Sequence, residues 1–176
     1  MDIEKSLNDL YNDFKEWLKF ADTRNAALLI FNSTLLVCLI SYEEVIFPKE
    51  FELSPWLFTI CTTATMISII ILFISFLPRR FKKLKNKGSS YPTFKNLLHY
   101  GDIYQFSPGV LLSSLENKYK FYESSINDDY LYDFSFQIIA LARILKRKDR
   151  IFNYAIVINL IIVVFISFSI LLVVWG

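Results

Sequence analysis

The last 26 residues of the chain, Ile151 to Gly176, carry no charged side chain. As a helix rising about 1.5 Å per residue they extend roughly 39 Å, more than the ~30 Å hydrocarbon core of a bilayer. The segment NDDYLYDFSFQIIALARILKRKDR, residues 127–150, runs straight into this stretch, and neither Pro nor Gly interrupts it before Gly176. Nothing in the backbone forces a break. The pattern predicts one long helix, half in water and half in lipid. In its watery half Tyr130, Phe134, Gln137, Leu141 and Ile144 recur at four-three spacing, which predicts a single packed face. Lys146, Arg147, Lys148 and Arg150 stand where the helix enters the membrane.

Two more stretches are long enough to cross. Asn25 to Tyr42 is charge-free over 18 residues and Leu53 to Pro78 over 26. Upstream of the first, Ile3, Leu7, Leu10, Phe14, Trp17 and Ala21 form a heptad stripe. It reads either as a helix packing on its neighbours or as a seam between subunits. The expected organisation is a cytoplasmic amphipathic helix over 1–25, transmembrane helices over 26–45 and 55–78, a cytoplasmic helical region over 79–150 and a third transmembrane helix over 151–175. The fold class is thus an all-α membrane protein, three spans with a cytoplasmic helical stalk or bundle, the last helix continuous into the membrane. Orientation follows from charge. RRFKKLKNK at 79–87 is strongly basic and the loop between the first two spans is acidic. Basic segments stay on the cytoplasmic side, so the N-terminus is expected inside and the C-terminus outside the inner membrane.

Several kinds of chemistry find no support. The chain has one histidine, His99, and its two cysteines, Cys38 and Cys61, sit inside apolar runs as small fillers. There is no nucleophile elbow, phosphate-binding glycine loop or metal-ligand spacing, so no enzyme, metal or bound cofactor is expected. The three charge-free stretches lack the intramembrane ionisable group that proton-coupled transporters need. What remains is a sensor, scaffold or pore whose work is conformational. Asn32 and Asn159 are the intramembrane polar candidates. Asn32 reads as interhelical glue or as the lining of a water path when the protein opens.

Three pieces of sequence carry a resemblance. They are Ala21-Asp22-Thr23-Arg24-Asn25-Ala26 before the first span, His99-Tyr100-Gly101-Asp102-Ile103, and Tyr130-Leu131-Tyr132-Asp133-Phe134 with Gln137-Ile138 and Arg143-Ile144-Leu145 before the last span. In order and spacing they resemble the small transmembrane effectors of bacterial Pycsar antiphage systems, over roughly residues 15 to 175. The resemblance implies a phage-triggered nucleotide cyclase acting through a diffusible cyclic nucleotide, cyclic CMP or cyclic UMP, as activating ligand. It implies an effector that impairs the inner membrane, so that the infected cell stops growing or dies.

The residues by themselves are compatible. A cyclic nucleotide offers a base to stack and one phosphate charge to neutralise. The 79–150 region supplies Tyr91, Phe94, Tyr100, Tyr104 and Phe106 and the cations Arg143, Lys146 and Lys148. Ligand or gating candidates are Asp22, Arg24, His99, Tyr100, Asp102, Gln137, Arg143 and Lys146. Several have a plainer role as well: core packing for the aromatics, a structural hydrogen bond for His99, a solvated or topology-setting cation for Arg143, and an interfacial ion pair for Asp22 and Arg24. The sharper role for that pair is a latch to Gln137 or Arg143. Arg143 is the cation best shaped for a phosphate. Expected partners are membrane lipids, further copies of the same chain and, through its product, the cyclase; nucleic acid is not expected. The alternative is a membrane scaffold that recruits a partner protein without forming a pore.

Overall fold

The computed structural model describes residues 3–47, 53–77, 96–119 and 129–175. The basic run 79–87, Tyr91 and Phe94 lie outside the described residues. The described elements are all helices: α1 (Ile3–Ser41), α2 (Glu43–Ile46), α3 (Ser54–Phe76), α4 (Tyr100–Ile103), α5 (Pro108–Tyr119) and α6 (Asp129–Trp175). The protein is an all-α membrane protein. Three helices, α1, α3 and α6, are long and apolar enough to cross a bilayer. The chain divides into two compact units, Met1–Ala21 with Pro78–Arg147, and Asp22–Leu77 with Lys148–Gly176.

The first unit has an aliphatic and aromatic core. Leu7, Leu10 and Phe14 of α1 are buried with Ile103, Phe106, Leu111, Leu112 and Leu115, and with Leu131, Ile138, Ile139, Ala142 and Leu145 of α6. The α1 stripe therefore packs within its own chain. It departs from the expected heptad at Trp17, which is 53% exposed while its neighbour Leu18 packs against the core. The packed face of α6 is corrected by one residue. Leu131, Ser135, Ile138, Ala142 and Leu145 are buried and the expected Phe134 and Leu141 pack against the core beside them, while Tyr130 and Gln137 are exposed. The physical reason is that the shifted stripe is wholly aliphatic or small, so helices approach closely, while Tyr130 and Gln137 keep their polar ends in water. Pro108 opens α5, where its missing N–H costs nothing.

The second unit is built the other way. Its large apolar side chains, Ile30, Val37, Ile70, Phe73, Leu160 and Val164 among them, point outward. Its interior stripe on α3 reads Cys61, Thr65, Ser68, Leu72 and Ser75, again at four-three spacing. Thr59, Thr62, Thr63 and Thr65 each donate their hydroxyl to a carbonyl four residues back. In lipid, where every polar group needs an internal partner, this keeps a threonine-rich helix satisfied. A smaller apolar cluster of Leu39, Phe47, Cys61 and Ile162 closes the unit's interior.

Candidate functional site

Four charges and two rings form a collar at one end of the spanning unit. Asp22 and Arg24 lie within one turn of α1, just before the charge-free run; Lys148 and Asp149 hold the corresponding place on α6. Lys148 Nζ donates to Asp22 Oδ1, and Arg24 Nη2 donates to Asp149 Oδ1 at 2.6 Å. Each helix gives one acid and one base, so the pairs are opposed in sense and the collar is neutral. The guanidinium of Arg24 lies 3.9 Å from the centroid of Phe152, and Lys148 Nζ 5.7 Å from that of Phe76 at the end of α3. All three long helices thus meet at the collar. The rings shield the pairs from water, which strengthens a Coulomb contact that is weak on an open surface.

Inside the collar runs a polar seam. Asn25 Nδ2 donates to Ser75 Oγ at 2.8 Å and Asn32 Nδ2 to Ser68 Oγ at 2.9 Å. The partners are a heptad apart on both helices, so α1 and α3 are joined by two matching antiparallel rungs. Both asparagines are fully buried, yet among the described residues Oδ1 of each accepts no hydrogen bond, and Asn159, also buried, finds no partner for either amide atom.

In the first unit His99-Tyr100-Gly101-Asp102-Ile103 folds into a self-capped turn. His99 Nδ1 accepts the Gly101 N–H at 3.1 Å, and Asp102 Oδ2 accepts the Asn96 N–H at 3.1 Å. A Cβ on Gly101 would stand 2.7 Å from the His99 ring, so the cap requires glycine there. Tyr100 packs at 6.4 Å from both Phe14 and Trp17, and Ile103 is fully buried. Arg143 Nε donates to the Tyr104 carbonyl at 2.9 Å, tying α6 to the turn after α4. Desolvation of the partly buried guanidinium pushes its pKa down from the ordinary arginine value.

Residues 6–175 match the Pycsar effector protein domain family. The curated protein "Pycsar effector protein RsPycTM" from a Rhizobium species is 33% identical over 139 residues, 78% of this chain and 77% of that protein. The chain belongs to the Pycsar effector family. It is therefore an antiphage effector associated with cyclic-nucleotide signalling. No solved structure matches it.

In this Pycsar effector the sequence candidates fall into separate groups. Asp22 and Arg24 join the collar, where their partners lie further along α6 than Gln137 or Arg143, the latch partners considered from sequence. Asn32 and Asn159 belong to the seam. His99, Tyr100 and Asp102 build the capped turn. Gln137 is exposed and Lys146 partly buried, and neither enters a hydrogen bond or ion pair among the described residues. The reading from sequence passed over Asn25 and Asp149. Signals for both exist: Asn25 stands one heptad before Asn32, as Ser68 does before Ser75, and Asp149 is the lone acid within the basic KRKDR.

Proposed function

We propose that this effector responds to a cyclic nucleotide, cyclic CMP or cyclic UMP, by impairing inner-membrane integrity, so that the infected cell arrests or dies. The N-terminal helix and the 79–150 region face the cytoplasm, the C-terminus lies outside, and several copies assemble in the membrane. A nucleotide cyclase acts on it only through its diffusible product. The observation that carries this reading is the neutral collar of two oppositely oriented ion pairs at the end where the charge-free stretches of α1, α3 and α6 meet. A collar of that kind is a latch. Paired, it holds α1 and α6 together; separated, it exposes four charges at the end of a polar interior. A messenger opens it only in so far as it binds the open state better than the closed one. Arg143 is the proposed point of messenger contact, since its fork presents further donors beyond the one given to Tyr104.

The test is membrane potential in cells carrying the effector without its cyclase. Cyclic CMP, cyclic UMP, cyclic AMP and cyclic GMP are supplied in turn. Depolarisation by one pyrimidine messenger, lost in Arg143→Glu, is the expected result. Liposomes that hold only this protein and stay tight to dye under every messenger would instead favour a scaffold.

A further inference from the structure

Oxygen atoms line the interior of the spanning unit, and they are short of partners. Asn25 and Asn32 spend their Nδ2 donors on Ser75 and Ser68, which leaves Oδ1 of each as an unmet acceptor. Asn159 is 6% exposed and neither amide atom has a partner among the described residues. Its level is set by the register of α1 against α6. Partners differ by 125 at Arg24–Asp149 and by 123 at Ile46–Ser169, Ile46 lying in α2 just past the end of α1, so Asn159 stands level with residues 34–36 of α1. The antiparallel register of α1 and α3 brings Thr65 to that same level. The polar layers therefore begin at Asn25, one residue inside the collar, and reach the middle of the span. Leu72, fully buried, interrupts them once. Beyond Asn159 the character changes. Leu39, Cys61 and Ile162 are all fully buried, with Phe47, Phe58 and Phe165 packed around them.

Buried amide atoms without partners are costly in a dry interior, and a polar cavity that can hold water is how folded proteins satisfy them. A ring of apolar side chains across such a path stops ions by excluding water. We infer that the spanning unit is a closed half-channel for water and small monovalent cations. Its hydrated part runs from the collar to Asn159, and the Leu39–Cys61–Ile162 layer is its apolar plug. Cations are the fitting ligand because the unmet Oδ1 atoms of Asn25, Asn32 and Asn159 are acceptors and no buried charged side chain lies between the collar and the plug. This rests on the proposed loss of membrane integrity and assigns it a route inside each subunit.

The plug is tested in potassium-loaded liposomes holding the full chain. Leu39→Ser or Ile162→Ser should raise potassium efflux at least tenfold without any messenger, with chloride lagging well behind. Asn32→Leu with Asn159→Leu should insert normally yet abolish the efflux that either plug variant opens. Efflux unchanged in the plug variants, or equal for chloride, overturns the inference. A second measurement leaves Leu39 and Ile162 of the plug in place. With Cys38 and Cys61 replaced, Asn159→Cys should react with a charged thiosulfonate at least tenfold faster than Leu160→Cys, which faces lipid. Equal rates overturn it. The two readings fail separately. If plug variants leak while the parent ignores every cyclic nucleotide, the channel stands and the messenger falls. If the parent leaks with cyclic CMP and all variants match it, the messenger stands and the half-channel falls.

Discussion

The two units have opposite interiors. The first buries leucine, isoleucine and phenylalanine and leaves its charges in water, as the hydrophobic effect demands of a chain in water. The second turns leucine, valine and phenylalanine outward and buries asparagine, serine and threonine. Where lipid is the solvent, apolar burial gains almost nothing, so packing and interhelical hydrogen bonds decide which faces meet. The same two helices, α1 and α6, obey both rules along their length. The four-three spacing of their buried positions continues while the chemistry of those positions changes, from Leu10 and Phe14 to Asn25 and Asn32 on α1, and from Ile138 and Leu145 to Asn159 and Ser169 on α6.

The largest expected effect tests that inversion directly. Phe14 is 1% exposed in the core of the first unit. Phe14→Ala should destabilise the protein by about 3–5 kcal/mol, the usual loss for an emptied aromatic site in a core. Ile70→Ala, on the outer face of α3, should cost under about 1 kcal/mol because lipid fills the gap. Thermal unfolding of the full chain in detergent, followed by near-ultraviolet dichroism, reads both. Equal losses would mean that Ile70 packs against protein. An aspartate at Phe14 should unfold the first unit before it could separate one subunit from another, since the α1 stripe faces its own chain.

Much of this fold was legible because lipid imposes a blunt rule. Charge-free stretches of sufficient length marked α1, α3 and the end of α6, and the absence of Pro and Gly from 127 to 175 marked α6 as one helix. What escaped was the choice between neighbouring stripes. Tyr130 and Leu131 are both apolar enough to be buried, and a spacing rule cannot tell them apart; only the small Ser135 and Ala142 on the second stripe let helices close. The collar escaped in part for a related reason. Basic residues near a span read as orientation signals, and one acid among four bases, Asp149, contributes little to such a count although it is half of an ion pair. His99 read either as a ligand contact or as a structural hydrogen-bonder, and its ring makes a structural bond by accepting the Gly101 N–H.

The collar carries the next largest effect. Its pairs are neither exposed nor dry, so the loss of one partner should fall between the ~1 kcal/mol of a surface pair and the ~3–5 kcal/mol of a buried one. Lys148→Glu sets two acids face to face and should depolarise cells without any messenger. Asp22→Lys should do the same. The exchanged double variant, Asp22→Lys with Lys148→Glu, restores an opposed pair and should return cells to silence. Potential-sensitive dye uptake in cells expressing each variant decides. Silence in both single variants would show that the spanning unit holds itself shut without the collar.

The smallest effect asks whether the interior of the spanning unit is wet. Asn32→Ala removes the rung to Ser68, and interhelical hydrogen bonds of this kind are worth about 0.6 kcal/mol on average. The freed Ser68 hydroxyl can turn to a carbonyl of its own helix, as the α3 threonines do, so little else is lost. The same change also deletes the unmet Asn32 Oδ1. If that atom is solvated by water in the seam, its removal is nearly neutral and the variant should be destabilised by about 0.6 kcal/mol. If it is dry, deleting an orphaned acceptor returns about 1–3 kcal/mol and the variant should be more stable than the parent. Unfolding of the full chain in mixed micelles by a denaturing detergent resolves the sign. A small loss sharpens the contrast between a dry aliphatic core and a wet amide one. A gain of a kilocalorie would make both interiors dry and remove the half-channel with it.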